Sequence, residues 1–143
     1  MHNLVKWLIG FVVVIVIILL LSGMYFFHVA QVRNPKSNQP DILRSKDNSL
    51  YRYENTFLAR HKQIWHETTR DGLKLDAWYV PADKKTNKTA ILAHGWHNNK
   101  TTMAIYGELF HELGYNVLIP DNRAHGDSQG KIIGYGWLDR RDY

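Results

Sequence analysis

Residues Thr89–Gly130 read TAILAHGWHNNKTTMAIYGELFHELGYNVLIPDNRAHGDSQG, and this stretch decides the fold. Thr89 to Ala93 is a short apolar run broken by His94-Gly95, and Asn116 to Pro120 is a second such run broken by Asp121. The segment between them has helical character. Two continuous apolar strands joined by a helix form a βαβ unit, because the crossover returns the second strand parallel to the first, and parallel strands are buried on both faces. Ligands of such sheets sit outside the carboxyl ends of the strands. The His94-Gly95 loop and the Asp121–Ser128 loop therefore share one edge of the sheet.

Outward from this unit, the helix is expected to start at an N-cap of Thr101 or Thr102 and to bury Tyr106, Leu109, Phe110 and Leu113. Gly114 is placed to end it in the left-handed conformation. Before the unit, Gln63–Thr69 alternates and ends at Thr69-Arg70-Asp71-Gly72. Leu73, Leu75, Ala77 and Tyr79 then point one way, and Lys74, Asp76 and Trp78 the other, the period of a half-buried strand. Asp-Gly between two alternating runs predicts an antiparallel hairpin. Pro81–Lys88 is a polar loop. Ile132–Tyr135 is irregular, and Trp137–Tyr143 has the look of another helix beginning.

The amino terminus has a different chemistry. No charged residue stands between Trp7 and Phe27, and the core GFVVVIVIILLL suffices, with its flanks, to cross a hydrocarbon layer about 30 Å thick. A cleaved signal peptide has a shorter apolar region and a small residue at each recognition position, whereas His28-Val29-Ala30 offers a bulky His. An uncleaved anchor is the reading adopted, with Trp7, Tyr25, Phe26 and Phe27 at the interfaces. Positive charge is divided between Lys6 on one flank and Arg33, Lys36, Arg44 and Lys46 on the other, which by count puts the C-terminal side in the cytoplasm. A short N-terminal tail with a Lys instead suits a signal anchor whose domain is exported, and an extracellular domain is the expectation carried forward. Gln31–Asn48 reads as a polar juxtamembrane linker. Ser49–Arg60, with Leu50, Tyr53, Phe57 and Leu58 at helical spacing, reads as an amphipathic helix packed on the domain or lying on the membrane. The resulting division is 1–30 anchor, 31–61 linker and helix, and 62–143 α/β domain.

The sequence has 18 Lys and Arg against 13 Asp and Glu, a net charge of +5, and no cysteine. The basic excess does not interleave with aromatics as a strand-binding groove requires, so nucleic acid is not expected as a partner, while the lipid bilayer is. Without cysteine no redox compartment is demanded.

In order along the chain stand a hairpin, a strand ending in His94-Gly95, a helix, and a strand running into Asp121-Asn122-Arg123-Ala124-His125-Gly126-Asp127-Ser128. This arrangement resembles the N-terminal third of an α/β hydrolase, with its HG-x oxyanion loop and its D-x-R-G-H-G-x-S loop, and is similar to membrane-anchored bacterial serine hydrolases of the aminopeptidase-like group. It covers Lys62–Tyr143. Ala124 stands where the pattern has Gly, which makes a positive φ less comfortable there. The resemblance implies that the backbone N–H of Trp96 is one oxyanion donor, that His94 and Gly95 shape its loop, and that Arg123, His125, Asp127 and Ser128 form a hydrogen-bonded polar cluster beside it, with Asp121 and Gly126 in the same supporting loop. It implies a small ester or peptide substrate and no cofactor. On His94-Gly95 alone, a plain turn after a strand is the favoured reading; the later loop reverses that in favour of the hydrolase.

Gly126-Asp127-Ser128-Gln129-Gly130 fits G-x-S-x-G by letter, but a nucleophile elbow places its Ser on a strained turn directly between strand and helix. Ser128 has no such setting. Nucleophile, acid and catalytic histidine are therefore expected beyond residue 143, and the chain is expected to be an inactive fragment. The strand Thr89–Ala93 would then present a bare edge. Two other readings compete. His94, His97, Asp121 and His125 together with a water could make a hydrolytic zinc centre, although their spacing matches no ligand signature. The partial sheet could also serve a non-enzymatic, membrane-tethered binding module.

Overall fold

The computed structural model describes residues 2–33 and 50–142. It divides into two units, 1–32 and 33–143. The first is a helix, α1 (His2–Gln31), with none of its residues buried. Its apolar run makes it long and apolar enough to cross a membrane. The expected linker falls almost wholly on residues 34–49, outside the described residues.

The second unit contains α2 (Tyr51–Ala59), β1 (Gln63–Thr68), β2 (Lys74–Val80), β3 (Thr89–Ile91), α3 (Ala104–Glu112) and β4 (Asn116–Pro120). The sheet order is β1-β2-β4-β3, with β3 and β4 parallel and the other pairs antiparallel. The hairpin turns where Asp-Gly stands: Gly72 takes φ +84° and its N–H donates to Thr69 O, while Thr69 Oγ1 donates to Asp71. Gly114 ends α3 at φ +81°. Its N–H reaches His111 O and that of Tyr115 reaches Phe110 O, the paired bonds of a Schellman motif.

Helices α2 and α3 cover one face of the sheet. Beneath them Phe57, Val80, Ala104, Val117 and Ile119 form the core, flanked by Trp78, Leu92, Met103 and Phe110. Three helical expectations need correction. The N-cap is Asn99, whose side chain accepts from Thr101 N–H, and a 3-10 turn (Lys100–Met103) precedes α3. The buried face of α3 is Ala104, Gly107, Glu108 and His111, while Tyr106, Leu109 and Leu113 are exposed. In α2 only Glu54 and Phe57 are buried.

One contact explains the rotation of α3. The Phe57 ring lies where a Cβ on Gly107 would come within 2.7 Å of it, so the helices meet at the one position without a side chain. Arg60, the C-cap residue of α2, then forks onto buried Glu108, Nε to Oε2 and Nη2 to Oε1 at 2.6 Å each. Both contacts are long-range, and they override the aliphatic stripe.

The opposite face carries Leu75, Ala77, Tyr79, Leu118, Pro120 and Ile91, with Trp65 stacked on Tyr79 at 4.1 Å. Among the described residues of this unit no α-helix covers it, and a concavity of about 520 Å³ opens there. Strand β3 is one edge of the sheet, opposite β1, and Ile91 is 58% exposed.

Candidate active site

Because β3 and β4 run parallel and adjacent, the loops that leave them emerge side by side. Two buried imidazoles fasten one loop to the other. His94 Nε2 faces the Asn122 N–H at 3.1 Å, and its Nδ1 faces Gly95 O at 2.8 Å. His125 Nε2 faces the His97 N–H at 3.2 Å, and its Nδ1 faces Arg123 O at 2.9 Å. A backbone N–H requires an acceptor and a carbonyl requires a donor, so both rings must be neutral with the proton on Nδ1. Burial, the largest influence on each, holds both below the ordinary histidine range. The rings meet edge to face at 4.9 Å.

This geometry answers the zinc reading. Both nitrogens of His94 and both of His125 are engaged with backbone groups, so neither offers a lone pair to a metal.

Asp121 is the second fastening and is fully buried. Its Oδ1 accepts from the Lys100 N–H at 2.6 Å, and its Oδ2 accepts from Lys100 Nζ at 2.5 Å and the Asp127 N–H at 2.8 Å. The Lys100 ammonium also meets Asp127 Oδ2 at 2.6 Å and Asp76 Oδ1 at 2.7 Å. Burial alone would lower the lysine's pKa, but the three carboxylates more than offset it and hold the ammonium above the ordinary lysine range.

Ser128, also fully buried, donates from Oγ to Asp121 O at 2.6 Å and accepts the Asp76 N–H at 2.9 Å. Its hydroxyl is thus spent on backbone groups of β2 and β4. Arg123 turns away from this cluster. It forks onto Asp142 at 2.6 and 2.7 Å and reaches Asp71 at 2.9 Å, tying the loop to the hairpin and to a 3-10 turn at Asp139–Arg141. The arginine is the main reason the Asp71 carboxyl falls to about 2, with Thr69 second. The expected single polar cluster is therefore three separate anchorages.

Arg33 supplies a fourth anchorage, donating to Ser128 O at 2.6 Å and Gly126 O at 2.5 Å. Lys100, Asp76 and Arg33 were not legible as site residues. Asp76 reads as the polar side of an alternating strand and Arg33 as juxtamembrane charge, and their partners lie many positions away.

The backbone is strained here. Among the described residues, the non-glycine residues with positive φ are His97 (+56°), Ala124 (+61°) and Tyr135 (+47°), and such outliers collect at functional sites. Gly126 has φ +47°, and a Cβ there would overlap the Asp121 carboxylate. Gly95 has nothing within 4 Å of a Cβ position, so space is left beside the strand end. Trp96, half exposed, stacks on His97 at 3.8 Å.

No protein-family model matches the chain. The chain is 33% identical over 120 residues to the uncharacterized protein YqkD of Bacillus subtilis, a match covering 84% of this chain and 39% of the relative. The esterase Pf2001 of Pyrococcus furiosus matches in two crystal forms, at TM-scores of 0.55 and 0.56 and 29% identity, over 73% of this chain and 38% of the esterase. The fold is the N-terminal portion of an α/β-hydrolase sheet. The chain spans about two fifths of the length of either protein.

Proposed function

We propose that this chain is the N-terminal part of a membrane-anchored serine-type hydrolase of ester or peptide bonds, of the bacterial aminopeptidase-like kind, and that it is inactive by itself. The observation that carries the reading is the double imidazole fastening, which fixes the His94–Lys100 loop against the Asp121–Ser128 loop at neighbouring parallel strand ends. An acyl-transfer site needs donors already in place when the carbonyl oxygen gains charge, and such fixed loops suit that need. In this reading the Trp96 backbone N–H is one donor. His94, Gly95, Asp121, Arg123, His125, Gly126 and Ser128 hold its surroundings without touching the reacting atoms. The second donor, the nucleophile, the acid and the catalytic histidine come from polypeptide beyond Tyr143, and no cofactor is required. Helix α1 acts as an uncleaved signal anchor in the lipid bilayer, with the hydrolase domain outside the cell.

The test is the reading frame downstream of codon 143. It should encode an apolar strand leading into G-x-S-x-G, and the extended polypeptide should hydrolyse p-nitrophenyl butyrate until that serine is changed to Ala. A downstream sequence without the motif, or turnover by the extended protein that disappears only with Ser128→Ala, would refute the proposal.

The exposed edge of β3 and the uncovered sheet face favour a second reading, a tethered module that pairs with another chain. Cooperative folding of residues 31–143 as a monomer in the absence of a partner, together with no turnover by the downstream-extended protein, would support this reading over the first.

A further inference from the structure

Lys100 lies at the start of the 3-10 turn that leads into α3, where a cation is opposed by the helix dipole. It is nonetheless 2% exposed. Its ammonium sits among carboxylates from three separate places: Asp76 on β2, Asp121 at the end of β4, and Asp127 in the following loop, at 2.7, 2.5 and 2.6 Å. The Lys100 N–H is held by Asp121 as well, so this residue is gripped at both ends. One ammonium against three carboxylates leaves the group with excess negative charge. The carboxylate oxygens lie within 4.8 Å of one another. With Nζ 2.5–2.7 Å from one oxygen of each carboxylate, the cluster is within about 0.1 Å of the 2.3–2.6 Å shell of a calcium ion.

We propose that Lys100 is a positioning residue whose ammonium takes the place a divalent cation would occupy, and that this built-in cation holds the Trp96 loop in register with β2, β4 and the Asp127 turn. The positioning role rests on the hydrolase reading of Trp96, whereas the cation role does not. Lys100 touches no reacting atom. It acts through the loop that ends on it: Asn99 caps the turn, and His97 and His94 bridge to the facing loop only while residue 100 is fixed. A lysine here makes the loop independent of metal supply, and the same carboxylates without it form an empty site for a hard cation.

The experiment uses the full chain in detergent micelles and measures amide hydrogen exchange by segment together with the thermal midpoint. Wild type, Lys100→Gln and Lys100→Arg are compared in sodium chloride and in calcium chloride of equal ionic strength. Calcium at about 5 mM exceeds the weak end of all-oxygen affinities, near 10⁻³ M. Wild type should not respond to calcium. Lys100→Gln should exchange at least about tenfold faster in residues 93–99 than wild type, and calcium, not sodium, should return that segment to within about threefold. Lys100→Arg keeps a cation and should lie between the two and ignore calcium. If Lys100→Gln folds only with calcium, the proposal stands. It is overturned if Lys100→Gln exchanges like wild type at 93–99, if it is unaffected by calcium or unfolded with and without it, or if wild type gains as much from calcium as the variant. None of these outcomes depends on hydrolytic activity, so a failure here is distinct from a failure of the hydrolase reading.

Discussion

Replacing Gly126 with Ala should damage this protein more than a comparable change at any open glycine turn. Two costs combine. A side chain at φ +47° costs about 1–2 kcal/mol in backbone strain. The added Cβ also overlaps the Asp121 carboxylate, which is fully buried and cannot swing into solvent. That carboxylate accepts bonds from Lys100 N–H, Lys100 Nζ and Asp127 N–H. Hydrogen bonds to charged groups contribute about 1.5–3 kcal/mol each, so the loss of one brings the total to about 2.5–5 kcal/mol and the loss of two to about 4–8 kcal/mol. Domains of this kind have about 5–15 kcal/mol to lose. The control is Gly114→Ala, at φ +81° with nothing within 4 Å of the new methyl, where only the backbone cost of about 1–2 kcal/mol applies. Urea unfolding of the two variants in the same detergent, followed by tryptophan fluorescence, gives the difference. If Gly126→Ala is no less stable than Gly114→Ala, the claim that Asp121 is the fixed centre of the loop fails.

Other expectations follow from the same contacts. Gly107→Ala gains about 1 kcal/mol of helix propensity but pushes a methyl into the Phe57 ring, an overpacking cost of about 1–3 kcal/mol; a double-mutant cycle with Phe57→Leu should show favourable coupling, and additivity would contradict the close approach. Ser128→Ala removes two buried hydrogen bonds and should lower stability by about 1–3 kcal/mol in a urea titration. Acid should loosen the site: with His94 and His125 both held below the ordinary value, the unfolded chain takes up protons first, so stability is full above about pH 6.5 and falls as pH drops from there towards the lowered folded values. The slope, read from unfolding midpoints, should shrink in His125→Gln; an unchanged slope in variants of both histidines would contradict the assignment.

The parts of the fold legible in the sequence are those set by local chemistry. The Asp71-Gly72 turn, the two apolar strands and Gly114 follow from residues within a few positions of one another, and the parallel crossover between those strands is what sets the His94 loop beside the Asp121 loop. Ala124 stands where the pattern has Gly, and it does adopt a positive φ. What escaped was long-range. The stripe Tyr106, Leu109 and Leu113 is apolar enough to suggest a buried face, but the turn of α3 is decided by Phe57, fifty positions from Gly107. Likewise Asp76 looks solvent-facing until Lys100 and Ser128 are folded against it. Neither an alternating strand nor a lone lysine announces such a partner.

The most direct test of the central claim is to treat this chain, and its downstream-extended form, with a fluorophosphonate and to map the adduct by mass spectrometry. The account predicts no adduct on the peptide containing Ser128 in either protein and a single one on the serine of the downstream elbow in the longer. An adduct on Ser128 would contradict it.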